Sequence, residues 1–268
     1  MLRRKTDMTL YLHELKRSRM PLMLWTAVIS FMLAVCVLIY PEMSGQMNEM
    51  SEMFSDMGSF SAAFGMDELN FGEFIDYFGI ECGNTLGLGG ALFAAVTGIS
   101  ALAKEQRDKT AELLLTLPVS RIRIITSKLL AVFTQVFILN ICITVITLLS
   151  ILAIGEKIDI SLFLLMMLSY LLLELEISAL TFGISAFISK GGTAIGLGIT
   201  FAFYFMNIIA NLTEKTEFLK YITPYGYTDP SSVINDKTID PVCLLIGSVF
   251  FFAGIIIAYI KYTKKDIL

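Results

Sequence analysis

Two carboxylates, Glu174 and Glu176, stand in the middle of the fourth of six apolar runs in this sequence. A carboxylate in lipid costs at least a few kcal/mol, so each must face a cavity, find donors or be protonated. No lysine or arginine lies at that depth in any run. Two residues along a helix turn the side chain by about 200°, so the pair cannot share one environment. One chemistry open to them is a substrate-pathway or proton-linked site, with Asn140 and Thr144 of the third run as polar company. The other is structural: a protonated carboxyl bonded to a hydroxyl or amide of a neighbouring helix.

A second set of residues could hold a soft metal. Met43, Met47, Met50, Met53 and Met57 recur at helical steps after the first run, and Phe60 and Phe64 continue the stripe. Thioethers on one face of an external amphipathic helix suit copper(I), or form an adaptable surface for an apolar substrate. The plainer reading is a helix packed on its neighbours or on the outer leaflet. The surrounding loop is acidic and has no lysine or arginine.

Most other chemistries are excluded. No Gly-x-x-x-x-Gly-Lys-Ser/Thr motif occurs, and Gly87-Leu-Gly-Gly90 and Gly196-Leu-Gly198 lie inside apolar runs, as packing glycines. His-Glu-x-x-His, paired Cys-x-x-Cys and a serine nucleophile elbow are absent. Cys36, Cys82, Cys142 and Cys243 fall in or beside apolar runs and read as small membrane hydrophobes. The lone His13 reads as a surface residue. The chain is therefore expected to hydrolyse no nucleotide, to bind no cofactor and to hold no metal. With net basic charge only at the inner membrane face, it is expected to bind no nucleic acid.

The scaffold that must position these residues is all-α. Of 268 residues, 56% are hydrophobic and the mean hydropathy is +0.73. Six runs, at roughly 21–40, 78–103, 129–154, 161–188, 194–212 and 242–260, reach the about 20 residues needed to cross a hydrocarbon core. They form one membrane domain over 1–268, with an external loop at 41–77, a cytoplasmic loop at 104–128 and an external segment at 213–241. Runs this long exclude a β-barrel, whose strands would be about ten residues and alternating. Of 20 lysines and arginines, the outer segments keep only Lys157, Lys215, Lys220 and Lys237, so the positive-inside rule places both termini in the cytoplasm.

Smaller features complete the scaffold. Residues 3–19 are basic and mildly amphipathic, fitting an interfacial helix that precedes a first span opened by Pro21. The first run is a retained span, because no small-residue cleavage site follows it. Gly79, Gly83 and Gly87, then Ala91 and Ala95, form a small-residue ridge for close helix approach. Tyr221 to Pro230 combines two prolines, a glycine and aromatics, as a short helix and turn at the interface would.

The most informative stretch is Lys104 to Lys128, a charged, mostly basic insert between the second and third runs. Glu105 stands four residues before Lys109, and Ala111, Leu114 and Leu115 make an apolar stripe, so a helix is expected to Thr116. Pro118 ends it by disfavouring helical geometry at Leu117. Ser120 can cap a new helix starting at Arg121.

Here the chain resembles the membrane subunits of ABC-type exporters, of the ABC-2 permease family. Glu105, Lys109, Thr110, Glu112, Leu113, Leu114, Pro118, Val119, Ser120, Arg121 and Lys128 are similar to that family's pattern after its second span, with Lys109 where glycine is usual. Tyr221 to Pro230 and the Lys265-Asp266 ending also look like family features. The resemblance implies a half-transporter in a bacterial-type plasma membrane. Two permease subunits, alike or different, would join two cytoplasmic ATPase subunits that carry ATP and Mg. Glu105, Thr110, Glu112, Leu113, Leu114, Pro118, Ser120 and Arg121 would then form the coupling element. Rivals from other classes are an ion- or proton-coupled secondary transporter using Glu174 and Glu176, and a non-transporting membrane sensor or scaffold.

Overall fold

The computed structural model describes the backbone of residues 2–56, 61, 63, 69–70, 72–107, 119–188 and 192–264, and their side chains except at 2–8, 46–56, 104–107 and 214. Helix α1 spans Leu2–Asp56, α2 Phe74–Cys82, α3 Ala91–Arg107, α4 Arg121–Ile154, α5 Ile160–Ser185, α6 Gly192–Leu212, α7 Pro230–Asp236 and α8 Pro241–Lys264. A π-helical stretch, Gly83–Gly90, joins α2 to α3, and a 3₁₀ helix, Glu214–Tyr221, follows α6. Six of these segments are long and apolar enough to cross a membrane: Thr9–Gly45, Phe74–Ala103, Arg121–Ile154, Ile160–Ser185, Gly192–Leu212 and Pro241–Lys264.

Local chemistry sets the helix ends. Asp159 opens α5 by accepting from the backbone N–H of Ser161 at 2.9 Å and of Leu162 at 3.4 Å. Asp240 opens α8 in the same way, with Val242 N–H at 2.8 Å. Asp229 precedes Pro230 and holds the Ser231 and Ser232 hydroxyls at 2.7 and 2.9 Å. Such caps contribute about 1 kcal/mol each. Gly155 ends α4 at φ +75°, a left-handed turn that glycine adopts without strain.

The N-terminal helix differs from expectation. Residues 2–56 form one continuous helix with Pro21 and Pro41 inside it. Pro21 therefore does not open the span, and the basic segment is not a separate helix. The methionine ladder to Met53 likewise continues α1 and is not a helix of its own. A proline removes one backbone hydrogen bond, and long membrane helices accommodate that locally.

The bundle has a centre and a periphery. The second span is 61% buried and α5 56%, whereas the other four lie between 17% and 28%. Ile29, Leu33 and Val37 of α1 pack with Phe78, Leu86, Phe93, Leu139 and Phe163 in the main core. Tyr40 stacks its edge on Phe74, ring centroids 5.1 Å apart, and donates its hydroxyl to Gly72 O at 2.8 Å. A smaller cluster at the other end joins Leu102, Ile125, Leu129 and Phe182.

Lipid gives helices no hydrophobic reason to associate, so close backbone packing matters most. A Cβ at Gly254 of α8 would stand 2.8 Å from the Ala179 carbonyl carbon of α5, and one at Gly183 would stand 3.1 Å from Gly254 Cα. The two helices pair out of step. Gly247, early in α8, meets Glu176, late in α5. By helical rise this sets the start of α8 about 15 Å deeper than that of α5. The preceding segment must therefore descend among the spans, and Tyr225, Tyr227, Thr223 and Thr228 are buried.

Candidate functional site

The out-of-step pairing brings polar groups to α5 from three sides. Glu174 is fully buried and points toward α4 and the end of the π-helical stretch. Asn140 of α4 donates one amide hydrogen to Glu174 Oε2 at 2.7 Å and the other to Val136 O at 3.0 Å. Both amide hydrogens are thereby used. Glu174 Oε1 lies against Gly90, where a Cβ would stand 2.8 Å from the carboxyl carbon, and this oxygen has no partner among the described residues. The π-helical turn delivers Gly90 to that spot; such turns are rare and cluster at functional places.

Glu176 points the opposite way, toward α8, as two steps along a helix require. Tyr227 donates its hydroxyl to Glu176 Oε2 at 2.8 Å, and Gly247 leaves room beside it. Glu176 Oε1 has no partner among the described residues. Thr144 is half-buried on α4 and makes no hydrogen bond to Glu174, while the neighbouring Thr147 is fully buried.

The glycine ridge packs inside the chain. A Cβ at Gly79 would stand 2.8 Å from Ile234 of α7; Gly83 faces Pro230 and Tyr170 at 3.5 Å, and Gly87 faces Tyr170 at 3.6 Å. Tyr170 in turn donates to Thr228 O at 3.3 Å. The ridge therefore seats the descending segment against α5.

At the opposite end, the foot of α4 is fastened to three helices. Buried Lys128 pairs with Glu14 of α1 at 2.9 Å and donates to Ala101 O of α3 at 2.9 Å. Arg121 donates to Thr263 O of α8 at 3.2 Å, and Thr126 shares a 2.7 Å hydrogen bond with Tyr259. Ser120 holds the N-cap position, but its carbonyl, not its hydroxyl, accepts from Arg123 N–H at 3.0 Å. A cavity of about 160 Å³ beside Lys128 is lined by Glu14, Ser18, Thr97, Ser100 and Gln135.

Several expected site residues lie outside this description. Thr110, Glu112, Leu113, Leu114 and Pro118 fall outside the described residues, as do the side chains of Glu105, Met47 and Met50. Met43 is half-buried against the main core.

Tyr227 and Gly247 carry no site signal in the sequence, and Gly90 reads there only as a packing glycine. Only the pairing of α5 with its neighbours reveals them, because no spacing links 227 or 247 to 176.

Six apolar helices with buried carboxylates and backbone-tight crossings define a multi-pass membrane protein of transporter type. The profile described as ABC-2 family transporter protein matches residues 8–267. The chain belongs to the ABC-2 transporter family, as a membrane permease of ABC-type transport, and that family implies an ABC ATPase partner. No curated protein matches it.

Proposed function

We propose that this chain is the permease subunit of an ATP-driven exporter. ATP and Mg are bound by a separate cytoplasmic ABC ATPase dimer, and this chain supplies no catalytic residue and no cofactor site. A second permease subunit, the same or different, completes the pathway; α6, only 17% buried, offers much uncovered surface for it. Both termini face the cytoplasm of a bacterial-type plasma membrane. The cargo is a hydrophobic or cationic peptide or drug.

One observation carries the coupling role assigned to residues 104–121. Helix α4 runs unbroken from Arg121 to Ile154, and its foot is tied to α1, α3 and α8. A displacement delivered just before Arg121 therefore reaches the whole third span and three neighbours as a rigid tilt.

The test is purification of the tagged protein from its native cells in mild detergent. The expected result is an ATPase subunit at near-equal stoichiometry, lost when Glu112 or Pro118 is altered. In the same system Glu112→Lys should weaken export while leaving membrane insertion intact. An intact, folded chain with no ATPase would overturn the proposal. It would favour an ion- or proton-coupled transporter centred on α5, the alternative supported by the Oε1 atoms of Glu174 and Glu176, which have no partner among the described residues. That alternative requires gradient-driven uptake by proteoliposomes containing this chain alone.

A further inference from the structure

The flank between α5 and α8 holds a cavity of about 150 Å³, a size that in an engineered protein admits a benzene-sized guest. Its walls are Leu172, Leu175, Leu244 and Phe251, and its polar groups include Glu176 and Tyr227. Leu244 and Ser248, at its edge, are exposed on the outside of the bundle. An apolar chain lying along α8 could therefore enter from the side without crossing the core.

The polar end of the cavity holds the carboxyl of Glu176 and the hydroxyl of Tyr227. Glu176 is 3% exposed, and Tyr227 occupies only its Oε2. Oε1, also buried, has no partner among the described residues. Among the described residues no lysine or arginine lines the cavity. In such surroundings a carboxylate gains most from a cation that also donates a hydrogen bond, because charge-assisted bonds are roughly twice as strong as neutral ones. An anion is repelled, and a neutral alcohol offers the weaker bond. Gly247 keeps the space free: a Cβ there would stand 3.1 Å from the Tyr227 ring and press on the carboxylate.

We propose that this flank is a binding site for the ammonium group of a single-chain cationic amphiphile, with Glu176 as its counter-ion and the walls of α5 and α8 holding the first part of the chain. The proposal deepens the exporter reading by naming a substrate class, and it rests on that reading for transport alone. Binding is a property of this chain by itself, so failure to bind leaves the ATPase co-purification test untouched.

The test uses the full chain in phosphatidylcholine nanodiscs and radiolabelled dodecylamine at neutral pH. Saturable binding near one per chain is expected, weakened at least tenfold by Glu176→Gln and unchanged by Glu217→Gln, which removes an acidic group outside the spans. Dodecanol should not displace the label. Equal binding by Glu176→Gln, or displacement by dodecanol, would overturn the site. A second variant needs no change at Glu176: Phe251→Trp in a Trp25→Phe background places one tryptophan in the cavity wall. A brominated alkylamine should quench it at least several-fold more than the brominated alcohol of equal length, and equal quenching would overturn the proposal.

Discussion

Glu174 and Glu176 are the same residue type, two positions apart on one helix, yet they occupy opposite kinds of site. Glu174 is enclosed on all sides: Asn140 holds one oxygen, and Gly90 leaves the other no room to move. Glu176 has a similar single donor, Tyr227, but its other side borders a cavity open to the flank. The difference teaches that a buried carboxylate's role is set by what it can reach. The enclosed one bonds Asn140 of α4 and packs on Gly90; the flanking one bonds Tyr227 beside the cavity.

The comparison breaks first at the glycines. Gly90→Ala would put a methyl group where Glu174 now sits, with the main core behind it. Overpacking of this kind costs about 1–3 kcal/mol, and displacement of the carboxylate from Asn140 adds to it. The largest loss of thermal stability is expected here, measured by labelling of the free Cys36, Cys82, Cys142 and Cys243 with a thiol-reactive dye during heating. Gly247→Ala has a superficially similar clash, but Glu176 can swing toward the cavity. A loss below about 1 kcal/mol is expected, near the lower end of overpacking effects. Equal losses would mean that the flank is as closed as the interior.

Next comes the donor to the enclosed group. Asn140→Ala leaves buried Glu174 with no partner among the described residues on either oxygen. Removing one member of such a pair costs about 1–3 kcal/mol, more if the remaining group stays charged. Combined with Gly90→Ala, the loss should be smaller than the sum, because both act through the same carboxylate. Additive losses would show that Gly90 and Asn140 act independently.

Much of this arrangement was legible in the sequence, and the remainder was not for definite reasons. Six apolar runs produced six long helices, because length and hydropathy are local properties. The opposed directions of Glu174 and Glu176 followed from helical geometry alone. Gly79, Gly83 and Gly87 announced themselves by their four-residue step, whereas Gly90, Gly98, Gly247 and Gly254 make tighter contacts without a matching signal. A contact between helices depends on how far one slides along the other, and the displacement of α8 against α5 is set by the descending segment. Pro21 misled for the opposite reason: a local rule for proline was overridden by a helix long enough to absorb it.

An effect smaller than that of Asn140→Ala is the most discriminating. Tyr227→Phe removes the hydroxyl that binds Glu176 Oε2 at 2.8 Å and keeps the ring against Gly247. A neutral hydrogen bond contributes about 0.5–1.5 kcal/mol net, and leaving a buried partner unpaired raises the loss. Here the partner is next to a cavity, so it can turn away, and the loss should remain below that of Asn140→Ala. The same substitution frees Oε2 for a ligand. If the flank is a cation site, Tyr227→Phe should destabilise the chain slightly and leave dodecylamine binding within a few-fold of the parent. If Tyr227→Phe instead destabilises as strongly as Asn140→Ala, both carboxylates are structural clamps, and the asymmetry of α5 is one of direction only.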